Sequence, residues 1–154
     1  MGVRSIKPTI ESLNHWITEL PAKIYAMSEF DLSDRTQPNK WSKKEILGHL
    51  SDSALNNLQR FVRAQYEDQP YVVIKYAQNQ WVELMNYQNL PIDHIVNLWL
   101  SLNKQIAEVI AKIPEDKLQS SCEIGEEQTV TLEWIIKDYM EHLEHHLKQI
   151  FPTL

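Results

Sequence analysis

Apolar residues recur in alternating steps of three and four along four stretches of this 154-residue chain, the period of amphipathic helices. Ile10, Leu13, Ile17, Leu20, Ile24 and Met27 mark the first, over Pro8 to Ser28, and Pro21 inside it should kink or split it. A polar loop follows from Asp31 to Lys40. Ser42-Lys43-Lys44-Glu45 then reads as a capping box, with Trp41 as a staple residue, opening a second helix that runs to about Tyr66. Its apolar side is Ile46, Leu47, Leu50, Ala54 and Phe61. Pro91 suits the first turn of a third helix with the stripe Ile95, Leu98, Leu102, Ile106, Val109 and Ile113, ended by Pro114. The fourth helix spans Thr131 to Phe151, with Thr131 as its cap. Its apolar arc holds Leu132, Ile135, Ile136, Tyr139, Met140, Leu143, Leu147 and Ile150, and leaves Trp134 outside.

Between the second and third helices lies the longest connection. In it, Tyr71-Val72-Val73-Ile74 reads as a strand or an extended loop, and Gln78 to Tyr87 as a short helix. Residues 115–130 read as a polar connection around Gly125. The expected fold is an all-α four-helix bundle forming one domain over residues 1–154.

Charge and composition narrow the function. A net charge of −6 disfavours sequence-independent nucleic-acid binding. No apolar run is long enough to span a bilayer, and Met1 to Pro8 has neither a signal core nor a myristoylation motif. Cys122 is the only cysteine, so an intramolecular disulfide and a multi-cysteine metal site are excluded. With three glycines there is no phosphate-binding loop, dinucleotide fingerprint or nucleophile elbow. A soluble cytoplasmic protein acting through side chains on helices is expected.

The richest chemistry is in the last helix, in His142-Leu143-Glu144-His145-His146. His142 and His146, four residues apart, share one helix face at the boundary of the apolar arc, close enough to hold one divalent ion. His145 falls on the opposite, solvated side. His49, on the second helix, is the candidate third ligand, although spacing alone does not bring it to the pair. Beside the apolar side of the second helix runs a second stripe, Glu45, His49, Asp52, Ser53, Asn56 and Arg60. Such a stripe is either a solvated bundle surface or the wall of a pocket. As a pocket wall it offers Asp52 to orient a ligand or act as a general base, and Asn56 and Arg60 to recognise a substrate. His15 and His94 lack partners at ligand spacing and are expected at the surface.

The run Trp41-Ser42-x-x-Glu45-Ile46-Leu47-Gly48-His49-Leu50-x-Asp52-Ser53-x-x-Asn56-x-x-x-Arg60-Phe61 resembles the second helix of DinB-like proteins of the YfiT-like branch. His142-x-x-His145-His146-x-x-Gln149-Ile150 resembles their last helix, and Leu20-Pro21-Ala22-Lys23 and Tyr76 to Trp81 also match. The resemblance implies an up-down-down-up bundle holding one divalent transition metal, nickel or zinc, on His49, His142 and His146. It implies a metal-dependent hydrolase or a low-molecular-weight-thiol S-transferase acting on a small molecule, with a thiol as co-substrate in the second case. Many relatives of this kind are homodimers. The alternatives are a non-enzymatic stress-response bundle that binds a metal or small ligand, and a metal-free bundle.

Overall fold

A computed structural model describes residues 5–153. The N-terminal reading above falls partly on Met1 to Arg4, outside the described residues. Four long helices make the bundle: α1 (Lys7–Tyr25), α3 (Lys43–Arg63), α5 (Ile92–Ala111) and α7 (Leu132–Ile150). The short helices α2 (Glu29–Ser33), α4 (Gln78–Leu84) and α6 (Glu115–Leu118) lie in the connections. So do the strands β1 (Tyr71–Val72), β2 (Ser121–Gly125) and β3 (Gln128–Thr131).

Around the bundle the order is α1, α5, α3, α7. The end of α1 meets the start of α5, where Tyr25 faces Asp93. Late in α3, Phe61 packs edge-on against Tyr139 in the first half of α7, at 5.8 Å between ring centroids. Early in α3, His49 meets His146 near the end of α7. Both pairs therefore run antiparallel. Ser5, just before α1, is hydrogen-bonded to Glu133 at the start of α7, and His15 lies beside Glu144 further along, so these two helices run parallel. The result is an up-down-down-up bundle. Its parallel α3–α5 pair requires a connection that returns the full length of the bundle, which is why the segment after Arg63 is long.

The capping box forms as the sequence predicts: Ser42 Oγ accepts from the Glu45 amide at 3.2 Å and Glu45 Oε1 accepts from the Ser42 amide at 3.0 Å. Thr131 caps α7 by accepting from the Trp134 amide at 3.1 Å. The buried residues of α7 are the eight of its predicted arc.

Several expectations are corrected. Of the two effects expected of Pro21, a split does not occur: α1 is continuous through it, since a proline removes only one backbone bond and Leu20 and Ile24, both buried, anchor the helix on either side. The expected polar loop at Asp31 begins inside α2, capped by Ser28. The buried face of α5 centres on Trp99, Asn103, Ile106 and Ile110, which leaves Leu98, Leu102 and Val109 half-buried. The connection 115–130 opens with α6 and continues as a β-hairpin: β2 pairs antiparallel with β3 and parallel with β1. Its turn has Gly125, Glu126 and Glu127 at positive φ, where side chains are disfavoured, and acidic residues there hide the hairpin from pattern reading. Among the described residues no helix is long and apolar enough to cross a membrane.

Candidate metal centre

The polar stripe of α3 is not solvated. Glu45, His49, Asp52 and Ser53 are all buried, because α3 lies between α5 and α7 and is further covered by α4 and the turn at Tyr87. Buried polar groups need partners. Glu45 takes the Arg35 guanidinium through two bonds of 2.8 and 2.9 Å. Asp52 Oδ1 accepts from the Tyr87 hydroxyl at 2.7 Å. The Tyr87 ring lies directly against Gly48, where a β-carbon would stand 2.2 Å from it. That close approach lets Tyr87 reach Asp52, and it fixes the turn of α3 that carries His49.

α3 and α7 bring three imidazoles together. His49 Nε2 lies 3.4 Å from His142 Nε2, and His146 Nε2 lies 3.1 Å from the same atom. One ligand nitrogen from each of the three falls within 4.8 Å of the others. Two bonds of ~2.0–2.1 Å opened to a tetrahedral angle separate their donors by about 3.3–3.4 Å, so the two short edges fit a single ion. The tautomer fits too. His146 Nδ1 is 2.8 Å from Gln149 Oε1, an acceptor that places the proton on Nδ1 and the lone pair on Nε2. Lone pairs aimed at one another at this range repel unless a cation or proton lies between them. His145 is exposed, as expected.

Burial makes these imidazoles hard to protonate. His49 is pushed down to about 3 by burial and by His146 and His142. His142 is pushed down to about 4 by burial, His146 and His145. His146 also falls, chiefly through burial, although its Gln149 contact opposes the shift. All three are neutral at pH 7, the form that ligates a metal.

The shifts predict a pH dependence for the metal-free protein. An unfolded histidine takes up its proton near 6.5, while His49 and His142 resist down to about 3 and about 4. Between those values the unfolded chain binds more protons, so this contribution to stability is present above pH 6.5 and is lost as pH falls. Asp52 acts oppositely. Burial raises it from 3.8 to about 6 against the Tyr87 bond, so its contribution is present at low pH and is lost as pH rises through about 6. The histidines outnumber it and shift further. The urea midpoint in chelator should therefore be lower at pH 5 than at pH 7.5, and His142→Ala should narrow the difference. A midpoint that is equal or higher at pH 5 would contradict this balance.

A cleft of about 340 Å³ opens from His142 along α3, α7 and the hairpin. Its walls include Ser53, Asn57, Arg60, Lys75, Tyr76, Trp134 and Asp138. Arg60 is held by the Ile74 carbonyl at 2.8 Å and Asn57 Oδ1 at 3.4 Å, with its guanidinium 5.9 Å from the centre of the Tyr76 ring. Asp138 sits on the opposite wall, one turn before His142. Two site candidates fall elsewhere. Asn56 is not among the residues lining this cleft and donates to the Asp52 carbonyl at 2.9 Å; Asn57 takes the place in the wall. The helical series 49, 53, 57, 60 would have found it. Asp52 also lies outside the lining, closed off behind Tyr87, and its Oδ2 and His49 Nδ1 have no hydrogen-bond partner among the described residues. Lys75, Tyr76 and Trp134 carry no spacing signal, because loop and hairpin packing brings them here. Cys122 is buried in β2, where burial raises its thiol to about 11.

Comparison with known proteins agrees with this architecture. A family model described as the DinB superfamily matches residues 12–150. A protein of Halalkalibacterium halodurans named "putative metal-dependent hydrolase" is 30% identical over 142 residues, spanning 90% of this chain and 82% of its own. One from Oceanobacillus iheyensis with the same description is 26% identical over 145 residues, spanning 90% of this chain and 83% of its own. YfiT from Bacillus subtilis, described as "a probable metal-dependent hydrolase with an unusual four-helix bundle topology", superposes with a TM-score of 0.86 at 19% identity, covering 99% of this chain and 87% of its own. The mycothiol-dependent maleylpyruvate isomerase gives 0.71 at 12% identity, covering 92% of this chain and 59% of its own. At these identities the two solved structures speak for the fold.

Proposed function

Because the chain belongs to the DinB superfamily, we propose that it is a metal-dependent enzyme acting on a small molecule, with His49, His142 and His146 holding one divalent transition ion, nickel or zinc. The observation that carries this reading is the convergence of three neutral imidazole nitrogens at 3.1 and 3.4 Å beside a ligand-sized cleft. Held by these three residues, such an ion would supply Lewis acidity for activating water or a thiol. The chain's own residues do the rest. Gln149 holds the tautomer of His146. Trp41, tilted over His49 at 4.8 Å between ring centroids, shields that ligand from water. Arg60 and Lys75 give the cleft a cationic wall suited to a carboxylate or phosphate on the substrate.

The names of its relatives favour hydrolysis. Thiol transfer is the second reading, supported by the fold shared with a mycothiol-dependent enzyme. In that reaction the thiol sulfur bonds to an electrophilic carbon, while the leaving group departs with the thiol proton. Metal analysis of protein purified without a histidine tag tests the centre. Turnover on an ester and amide panel, set beside thiols with electrophiles, tests the reaction, and inactivity on both leaves a metal- or ligand-binding bundle.

Arg60→Ala is expected to raise KM for an anionic substrate by about tenfold or more while metal content stays unchanged, since a charge-assisted contact is worth ~1.5–3 kcal/mol. An unchanged KM would remove Arg60 from substrate recognition, and lost metal would give it a structural role.

A further inference from the structure

We propose that Trp134 and Asp138, on the face of α7 that leads to His142, form a receptor for a protonated amine, and that the cleft thereby selects aminoacyl compounds, with an amine beside the bond to be hydrolysed and a carboxylate at the far end. The reaction rests on the metal reading above; the binding rule does not need the ion.

Trp134, Asp138 and His142 follow one another at intervals of four, so they stack along one face of α7 with about 6 Å between successive β-carbons. All three line the cleft of about 340 Å³. Trp134 lies outside the buried arc and is 45% exposed, so part of its indole remains available to a ligand. Asp138 is exposed too, and among the described residues no ion pair joins it to Arg60 or Lys75, the two cations of the same cleft. Arg60 is turned instead to the Ile74 carbonyl and Asn57 Oδ1. Its guanidinium feels the Asp138 charge across the gap. Opposite charges held apart on two walls leave room for a ligand that pairs with both. A purely anionic ligand would meet Asp138, and a purely cationic one would meet Arg60 and Lys75. An ammonium at Asp138 also gains from Trp134, because a cation within about 6 Å of an indole face is attracted to it. The order of groups along the cleft fixes the class of substrate. Asp138 is one turn from His142, and in an aminoacyl compound the amine nitrogen lies about 2.5 Å from the acyl carbon. An amine held at Asp138 therefore keeps the acyl carbon near the histidines. A second residue extends the molecule by about 3.5 Å, towards the wall where Arg60 and Lys75 take its carboxylate. In hydrolysis the oxygen of water bonds to the acyl carbon and the bond to the leaving nitrogen breaks. That nitrogen departs with a proton from the water, and the new carboxyl group ionises.

The test titrates three sulfur-free probes into the full chain, followed by calorimetry: the dipeptide alanyl-phenylalanine, its N-acetyl derivative and its C-terminal amide. The metal-free chain is used, so that no probe is consumed. Saturable binding of the dipeptide in the range of about 0.1–1 mM is expected. N-acetylation and amidation, which each remove one charge, should each weaken it about tenfold. Asp138→Asn should erase the first difference, so that the free and acetylated peptides bind within about twofold of each other, and should keep the second. Arg60→Ala should do the opposite. Trp134→Leu should reduce the preference for the free amine about threefold or more. Asp138 and Trp134 are exposed, so these variants should keep the fold. A merely structural role for Asp138 would weaken all three probes alike, and that result would overturn the proposal. So would the absence of saturation up to about 10 mM, or an acetylated peptide that binds the wild type as well as the free one. Metal content of the same chain, measured before chelation, separates the two readings. A chain that prefers the free amine but retains no metal upholds the receptor and defeats the metal centre. A chain that holds the metal and does not distinguish the free amine does the reverse.

Discussion

Replacing His142 and His146 together by alanine is expected to lower bound divalent metal from about one ion per chain to below about a tenth, because one remaining imidazole cannot retain an ion that needs three or four ligands. Turnover should fall with it, by two orders of magnitude or more on the order expected for a lost Lewis acid. The bundle should still fold. The two side chains sit at the edge of the buried arc of α7, whose eight buried residues remain in place. His145→Ala, one residue away and exposed, should leave metal content nearly unchanged. The contrast tests geometry: a double variant with full occupancy, or a His145→Ala variant that loses the ion, would show that other groups bind it. An ion held by His49, His142 and His146 would join α3 to α7 in the folded state only, so chelation should lower the melting temperature of the wild type by mass action. The same chelation should leave the melting temperature of the double variant unmoved.

Gly48→Ala should carry a large stability cost for a single added methyl. A β-carbon there would lie 2.2, 2.3 and 2.7 Å from three atoms of the Tyr87 ring. The ring cannot step aside easily: it is 1% exposed, and its hydroxyl is bonded to Asp52 at 2.7 Å. Overpacking of this kind costs about 3 kcal/mol, offset by about 1 kcal/mol from the better helix propensity of alanine. A net loss of about 2 kcal/mol corresponds to about 4–8 °C in melting temperature for a chain of this size. Relief by moving α3 or Tyr87 would displace the neighbouring His49, so metal affinity should fall as well. A melting temperature within about 2 °C of wild type, a shift of under ~1 kcal/mol, would mean that the Gly48–Tyr87 contact is slack.

Periodicity along the chain determined much of this protein. Four apolar stripes define four helices, and the arc of α7 can be read residue by residue, down to the exclusion of Trp134 and the outward turn of His145. This is legible because a helix that buries one face must repeat that face every 3.6 residues. The capping box at Ser42 and Glu45 is legible because its partners are three residues apart. The His142–His146 pair is legible for the same reason. Contacts between distant segments leave no such trace. Only the folded chain brings His49 across 93 residues to His142. Only the crowding of α3 by its neighbours turns a stripe that could have been solvated into a buried one, seals Asp52 behind Tyr87 and puts Asn57 in the cleft wall where Asn56 was expected. The hairpin after α6 escaped pattern reading because its turn is acidic and its strands are short, so that pairing of β2 with β3 and with β1, and not their own alternation, holds them extended. Local spacing records the interactions of residues within a turn or two of each other. The cleft and the third histidine depend on which helices pack together, and tertiary packing alone decides that.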